Sequence, residues 1–129
     1  MKLIATLIIS ITLLVNCTKT AGTGGKATIK GSIDVTNIKN GVIKDQYKAQ
    51  EHNVYLIYGE GDLYSDNMKT SFNGEFEFKF LNKGKYQVFI YSECNSCPKG
   101  QDSLIRVPIE INKTKETIEM ETIKIINYI

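Results

Sequence analysis

The chain has 129 residues, with 16 lysines and arginines against 14 aspartates and glutamates, one histidine and no tryptophan. This length suits one domain, and the near-neutral charge gives no electrostatic reason to expect a nucleic-acid partner. With a single histidine and no G-x-S-x-G pattern, a hydrolase triad has no support. We therefore expect neither an enzymatic activity nor a cofactor.

Residues 1–16 predict a signal peptide. Met1-Lys2 supplies a positive charge, and Leu3 to Val15 form an almost wholly apolar run. About thirteen such residues suit the apolar region of a signal peptide and are too few for a permanent membrane span. Leu14-Val15-Asn16-Cys17 then places a cysteine directly after the expected cleavage point.

This tetrad resembles the bacterial lipobox. The resemblance implies that Cys17 becomes the diacylated first residue of a mature lipoprotein; an ordinary secretory signal with an incidental cysteine is the alternative. Acyl chains anchor a protein at about 0.8 kcal/mol per buried methylene, so a membrane is the first expected partner. Thr18 is not acidic, which by the sorting rule for such lipoproteins favours the outer membrane of a Gram-negative cell envelope.

Residues 17–26 predict a lipidated cysteine with a flexible tether, and residues 27–129 predict a folded domain. The tether is small, polar and glycine-rich. In the domain, short alternating runs recur at roughly ten-residue spacing between turn signals such as Asn40-Gly41. Asp45 to His52 reads as a loop or one helical turn. The predicted strands cover 27–35, 53–58, 63–72, 75–80, 86–91, 104–111 and 116–128.

The clearest strand signal runs from Thr70 to Tyr91. Alternating apolar residues are Phe76, Phe78 and Phe80 in its first half and Tyr86, Val88 and Ile90 in its second. Asn73-Gly74 precedes the first run and Asn82-Lys83-Gly84 joins it to the second, so we predict a hairpin with one apolar face. A second sheet must cover that face. The sequence therefore predicts an all-β fold, a single seven-stranded β-sandwich of Ig-like or transthyretin-like type.

The pattern T-x-x-N-G-x-F-x-F-x-x-L-x-x-G-x-Y-x-V from Thr70 to Val88 resembles the carboxypeptidase-regulatory-like family, whose domains have a transthyretin-like (prealbumin-like) sandwich. Gly31-Ser32-Ile33 and Val54-Tyr55-Leu56 match two shorter family positions. The resemblance implies an accessory, structural or binding module that shares no catalytic residues with its relatives. We expect a non-enzymatic, membrane-anchored accessory lipoprotein with a protein partner of unknown identity.

Cys94-Asn95-Ser96-Cys97 follows the predicted strand that ends at Tyr91. In an oxidising envelope this spacing favours a structural disulfide between Cys94 and Cys97. Thiol–disulfide exchange is the alternative, because redox pairs use the same spacing, although they are followed by a helix and Lys99 to Ser103 is polar. A zinc site would want four ligands, and His52 is the only histidine.

The acidic loop residues leave a further alternative open. Asp62 and Asp66 could supply oxygens to a weakly bound calcium ion, although their spacing matches no EF-hand. A loop-based module that binds carbohydrate or calcium is therefore a third interpretation, and the lack of tryptophan weakens the sugar reading. Tyrosine is the main aromatic residue, and we expect Tyr55 and Tyr91 to face outward, where tyrosine favours interfaces.

Overall fold

Nine strands run through the residues that the computed structural model describes, 20–97 and 102–129. They are β1 (Thr23–Lys39), β2 (Val42–Lys48), β3 (Asn53–Tyr58), β4 (Asp66–Lys69), β5 (Glu75–Leu81), β6 (Gly84–Ser92), β7 (Ser103–Ile111), β8 (Thr117–Glu119) and β9 (Ile123–Tyr128). The predicted signal peptide and Cys17 lie outside these residues. Within the described ranges no helix is long and apolar enough to cross a membrane.

The strands form two sheets that pack face to face. In the first sheet β1 is central: β5 and β2 pair with it antiparallel, and β8 and β9 pair with it in parallel. The second sheet has the order β4-β3-β6-β7 and is antiparallel throughout. Both inner faces supply one apolar core, whose fully buried members include Ile29, Ile33, Leu56, Tyr86, Val88 and Ile90. The prediction of an all-β sandwich is confirmed, but the predicted count of seven strands is wrong: there are nine in the described residues, because Val42–Lys48 forms a strand and the last predicted strand is divided.

Strand β6 runs from one end of the sandwich to the other and gives each end its name. Gly84, at its start, lies against Ala21, and we call this the tether end. Ser92, at its finish, bonds to Ile126 of β9, and we call this the cleft end. At about 3.3 Å per residue, the two ends of β6 are roughly 26 Å apart.

The predicted hairpin is wrong, because β5 and β6 lie in different sheets. β5 pairs with β1, whereas β6 pairs with β3 and β7. Alternation shows which face of a strand is buried. It does not show whether two strands are hydrogen-bonded neighbours in one sheet or face each other across the core, because both arrangements give the same alternation. Asn82, which lies between β5 and β6, is hydrogen-bonded to the start of β1. Its N–H donates to the oxygen of Gly22, the residue before β1, at 2.8 Å, and its side-chain amide donates to the Thr23 oxygen at 2.9 Å.

Phe80 does not share the buried face of Phe76 and Phe78. Leu81 pairs with Ala27 and Phe78 pairs with Ile29, so the register shifts and β5 contains a bulge. Phe80 takes a φ of 60° within it and is 68% exposed, and Leu81 occupies the inner position instead. A bulge of this kind reverses the alternation that the sequence pattern assumes.

Several boundaries also differ from the prediction. Thr23–Lys26 belong to β1, so part of the predicted tether is a strand. β2 continues to Lys48, where we expected a loop or helical turn; its side chains are all exposed, so they carry no burial signal. β4 spans only Asp66–Lys69. The last predicted strand is divided into β8 and β9, with Ile123 buried and Thr122 exposed.

Two single residues are explained by their positions in the sheets. Pro108 lies in β7 at the edge of the second sheet, where a missing N–H costs no ladder bond. Gly31 marks a close approach, because a Cβ there would lie 2.6 Å from Cζ of Phe76. Any larger residue at position 31 would displace a core ring.

Candidate functional site

A half-open cleft of about 490 Å³ lies at the cleft end, between the end of β6, β9 and the segment that joins β2 to β3. Its rings and polar side chains include Tyr47, Tyr55, Tyr91, Gln50, His52 and Glu93. Tyr47 is 47% exposed and Tyr91 is 45% exposed, so both rings are accessible from solvent. The cleft therefore combines aromatic faces with hydrogen-bonding groups.

Thr70 holds the wall of the cleft in place. Its Oγ1 donates to the Ala49 oxygen at 2.6 Å and accepts from the His52 N–H at 2.9 Å. Its backbone bonds to His52 and Glu51 as well, and its side chain is only 3% exposed. Glu51 adopts a φ of 50°. One buried hydroxyl thus fixes the segment 49–52, which forms one side of the cleft.

The opposite side is fixed by hydrogen bonds between the two sheets. The Ile126 N–H donates to Oγ of Ser92 at 2.8 Å, and the Tyr128 N–H donates to the Glu93 carboxylate at 2.7 Å. His52 reaches across as well, with Nε2 at 3.1 Å from the Tyr91 carbonyl oxygen, so a proton on Nε2 can be donated to it. Nothing in the sequence around His52 predicts this bridging contact.

The outer face of the second sheet carries an aromatic cluster, which we call the tyrosine surface: Tyr55, Tyr64, Phe89 and Tyr91. Tyr55 stacks on Phe89 with ring centroids 4.7 Å apart and planes inclined by 10°, and Tyr64 lies 4.9 Å from Tyr55. Phe89 lies outside the central core, yet it is only 5% exposed, because the tyrosine rings cover it. Tyr64 itself is 54% exposed.

The tyrosine surface adjoins the cleft, since Tyr55 and Tyr91 line both. Both residues lie on the outer face, as expected. Tyr64 comes from the loop between β3 and β4, which is held against the sheet by the Ser65 N–H bonded to the Leu56 oxygen at 2.8 Å. The sequence offered one signal for the hidden member of the cluster: Phe89 interrupts the alternation of β6.

Cys94 and Cys97 form a disulfide, with Cα atoms 5.5 Å apart. The bridge lies two residues beyond β6, directly after Glu93, and so closes a short turn beside the cleft. The predicted disulfide is therefore present. Its capacity to exchange electrons, the redox alternative, stays a prediction.

Asp62 lies in the loop between β3 and β4, whereas Asp66 is the first residue of β4. Asp62 is a surface group whose Oδ1 lies 3.6 Å from Nη1 of Arg106, and the Asp66 carboxylate accepts the Asn67 N–H at 2.8 Å. Within residues 20–97 and 102–129 no group of three or more His, Cys, Asp or Glu side chains is placed to hold a metal ion. A weak cation site at these two residues stays a prediction.

The tether end is built in a contrasting way, around Tyr86. Its hydroxyl accepts the Gly22 N–H at 2.9 Å and donates to the Asn82 oxygen at 2.7 Å. Burial raises the pKa of the Tyr86 hydroxyl, and its backbone hydrogen bonds act in the opposite direction. Gly84 beside it has a φ of 147°, and a Cβ there would lie 2.8 Å from the Ala21 nitrogen. This end of the sandwich is closed.

Comparisons with known proteins identify no family for the chain. No family model matches it, and no curated protein matches it. Among solved structures, the chain is similar to a protein of Pseudomonas aeruginosa described as a "putative carbohydrate binding protein", with a TM-score of 0.49 and 15% identity over 84% of this chain and 92% of that chain. The resemblances to the lipobox and to the carboxypeptidase-regulatory-like family therefore stay predictions.

Proposed function

We propose that this protein is a non-enzymatic, lipid-anchored module of a bacterial cell envelope, and that it binds another protein through the tyrosine surface. The observation that supports the proposal most strongly is the exposure of two rings on an outer sheet face: Tyr64 is 54% exposed and Tyr91 is 45% exposed, and both lie against Tyr55. Tyrosine and phenylalanine are enriched at the centres of protein interfaces. Leu63, which is 85% exposed, and Leu104, which is 44% exposed, add apolar area.

The geometry of the rings favours binding at low entropic cost. Tyr55 is held by three neighbouring rings, and a side chain that is already fixed loses little freedom when a partner covers it. Tyrosine also presents a large contact area with only two rotatable side-chain bonds. The tyrosine surface is thus arranged before the partner arrives.

The position of the surface fits an anchored protein. The chain leaves the sandwich toward Cys17 at the tether end, where Gly22 is fixed by Tyr86. The cleft lies at the far end of β6, roughly 26 Å away. With Cys17 lipidated, as the lipobox resemblance implies, the cleft and adjoining rings would face away from the membrane. The non-acidic Thr18 favours the outer membrane of a Gram-negative cell as the location.

A second candidate function is carbohydrate binding in the cleft. Ring faces of Tyr47 and Tyr91 and the side chains of Gln50 and Glu93 surround the same space. Small-molecule sites combine apolar surfaces with a few fixed polar groups in this manner, and a cleft of about 490 Å³ falls in their usual size range. A sugar offers both an apolar ring face and hydroxyl donors.

Site-specific photo-crosslinking in living cells tests the proposal. A photoreactive residue replaces Tyr64 on the tyrosine surface or, as a control, exposed Lys124 on β9 of the other sheet. We expect a discrete crosslinked band from position 64 that is absent from position 124 and weakened by Tyr91→Ser. Equal crosslinking at both positions, or none at 64, contradicts a protein-binding tyrosine surface.

Cell fractionation tests the proposed anchor. Cys17→Ser should move the protein from membranes washed at high salt to the soluble fraction, and a variant that still sediments with the washed membranes contradicts the anchor.

An NMR titration with neutral and acidic oligosaccharides tests the second candidate: saturable shifts confined to residues 49–53 and 91–93 support it. An oligosaccharide panel without such shifts excludes the sugars tested.

A redox titration read by alkylation and intact mass decides the thiol–disulfide alternative. Structural disulfides have potentials below about −300 mV, whereas exchange-active pairs lie nearer −120 to −270 mV. We expect the Cys94–Cys97 bond to behave as the structural kind. A potential in the higher range, with one thiol of lowered pKa, would favour an enzyme.

A further inference from the structure

We infer that the tether end of the sandwich itself rests on anionic phospholipid headgroups, with Phe80 as its apolar contact and a group of lysines as its electrostatic contact. The inference goes beyond anchoring by Cys17, because it assigns a lipid-binding surface to the folded domain. It rests on the proposed anchor for the direction in which that surface points.

Phe80 is the first observation. It is 68% exposed, and its φ of 60° puts a bulky side chain in the left-handed region, which such residues seldom adopt. The bulge in β5 holds it there, next to Leu81, which pairs with Ala27 and Thr23. A backbone outlier that displays an aromatic ring to solvent is more informative than an exposed apolar residue in an ordinary conformation.

A set of exposed lysines surrounds this end. The strand register places them: one lies in β1 before Ala27, one in β5 next to Phe80, one in the link from β5 to β6, and two follow Ile111, which pairs with Gly84. They are Lys26, Lys79, Lys83, Lys113 and Lys115.

The acidic groups at the tether end are mostly engaged. Glu60 lies 3.4 Å from Lys85, a lysine that we leave out of the set, and Glu77 lies 3.4 Å from Lys79. The carboxylate of Glu116 turns back on its own loop and accepts two backbone N–H groups at 3.2 Å. Glu110 lies across from Lys85 in the ladder.

Four of the five lysines are consequently available to phosphate groups. The ion pairs within 4 Å in residues 20–97 and 102–129 do not include Lys26, Lys83, Lys113 or Lys115. A cationic surface with one exposed ring complements an anionic bilayer, in which headgroups attract the charges and the acyl boundary accepts the ring.

The number of residues between Cys17 and the sandwich indicates that the membrane is the partner of this surface. Ala21 packs against Gly84, and Gly22 is bonded to Tyr86, so both residues are held at the tether end. Only four residue steps separate Cys17 from Ala21, and a fully extended chain covers at most about 14 Å in that number. A lipidated Cys17 would therefore hold the tether end against the headgroups, which excludes most other partners from this face.

The lack of tryptophan in the sequence makes a direct test possible. Phe80→Trp gives the lipidated full chain a single indole, and Phe72→Trp is a matched control, because Phe72 is 78% exposed and precedes β5 at its other end. Each variant is reconstituted into vesicles of phosphatidylcholine with or without phosphatidylglycerol. In phosphatidylglycerol vesicles we expect the emission of Phe80→Trp to shift to the blue and to resist acrylamide quenching, with reversal at high salt. The emission of Phe72→Trp should be unchanged.

An indole in Phe80→Trp that stays as water-exposed as the one in Phe72→Trp, in both vesicle types, overturns the inference. Should Phe80→Trp fail to fold, a bimane label on Lys83→Cys gives the same readout, with Lys124→Cys as its control.

The lysines are tested by flotation of the Cys17→Ser chain with phosphatidylglycerol vesicles. Lys83→Gln and Lys113→Gln should each weaken binding about fivefold, and Lys124→Gln should have no effect.

These outcomes separate the inference from the proposed anchor. If Cys17→Ser remains in cell membranes after a high-salt wash, which releases electrostatic binding, and the indole of Phe80→Trp still responds to anionic lipid, the lipid-binding surface stands and the acyl anchor is wrong. If Cys17→Ser leaves the membrane but the indole of the lipidated Phe80→Trp chain stays exposed, the anchor stands and the lipid-binding surface is wrong.

Discussion

The two ends of the sandwich differ in what their buried hydroxyl groups hold in place. At the tether end, the Tyr86 hydroxyl and Asn82 satisfy backbone groups of the incoming chain, and Gly84 lets Ala21 approach closely. At the cleft end, the buried Thr70 hydroxyl instead fixes residues 49–52, which form one wall of the cleft. The difference teaches that a buried hydroxyl can fix either the incoming chain at one end of a sandwich or the wall of a cleft at the other.

The largest expected effect is a loss of stability of the whole sandwich, both ends included. Phe78→Ala truncates a 3% exposed core ring and should lower the free energy of unfolding by about 3–5 kcal/mol in urea denaturation. Phe80→Ala is the matched control, since Phe80 is exposed, and should change stability by less than about 0.5 kcal/mol. Similar losses from the two variants would show that the bulge is wrongly placed.

A smaller effect should be confined to the cleft end. Thr70→Val keeps the shape of the side chain but leaves the Ala49 oxygen and the His52 N–H without their partner, at a cost of about 1–3 kcal/mol. Hydrogen exchange should quicken at residues 49–52 and stay unchanged at Gly22. Thr70→Ser restores the hydroxyl and should recover most of the loss; equally fast exchange in that variant would contradict the assigned role.

The reciprocal change should affect the tether end alone. Tyr86→Phe keeps the core ring and removes the bonds to Gly22 and Asn82, so we expect a loss of about 1–2 kcal/mol. Exchange of the Gly22 amide should rise while that of residues 49–52 is unaltered. Tyr64→Phe, on the exposed tyrosine surface, serves as the control and should leave the free energy of unfolding unchanged. A decrease as large as that of Tyr86→Phe would contradict the role of the buried Tyr86 hydroxyl at the tether end.

The smallest effect concerns alkaline pH. Because the pKa of Tyr86 is raised by burial, the folded state holds its proton after the unfolded chain has begun to lose it, near pH 10. This contribution is complete below pH 10 and declines as the pH rises toward the folded pKa. Denaturation between pH 9 and 11 should show a shallower loss in Tyr86→Phe than in the unaltered chain, and parallel curves would assign the loss to other groups, Tyr58 among them.

The sequence predicted the buried residues better than their arrangement. Alternation correctly placed Phe76 and Phe78 in the core, because the burial of one strand face depends on that strand alone. Pairing depends on two strands, and the same alternation served equally for a hairpin and for the crossing from β5 to β6 that the structure contains. The reversal at Phe80 arises from a backbone torsion that a hydrophobic pattern does not contain.

The candidate site was harder to predict than the fold. The disulfide of Cys94 and Cys97 follows from four neighbouring residues. The wall of the cleft instead needs Thr70 to meet Ala49, and the outer ring cluster needs Tyr64 to fold back on Phe89. Contacts between distant segments leave no periodic signal in either segment, so these features required coordinates.

The parallel pairing of β1 with β9 sets the order in which this chain can be completed. Ile33 pairs with Ile123 and Ile38 with Tyr128, so one edge of the second half of β1 is covered by β9, whereas the neighbouring β2 covers the other edge. Contacts between such remote segments make folding slow, because a long loop must close before they contribute. A nascent chain would therefore leave this edge of β1 unpaired until β9 has been synthesised.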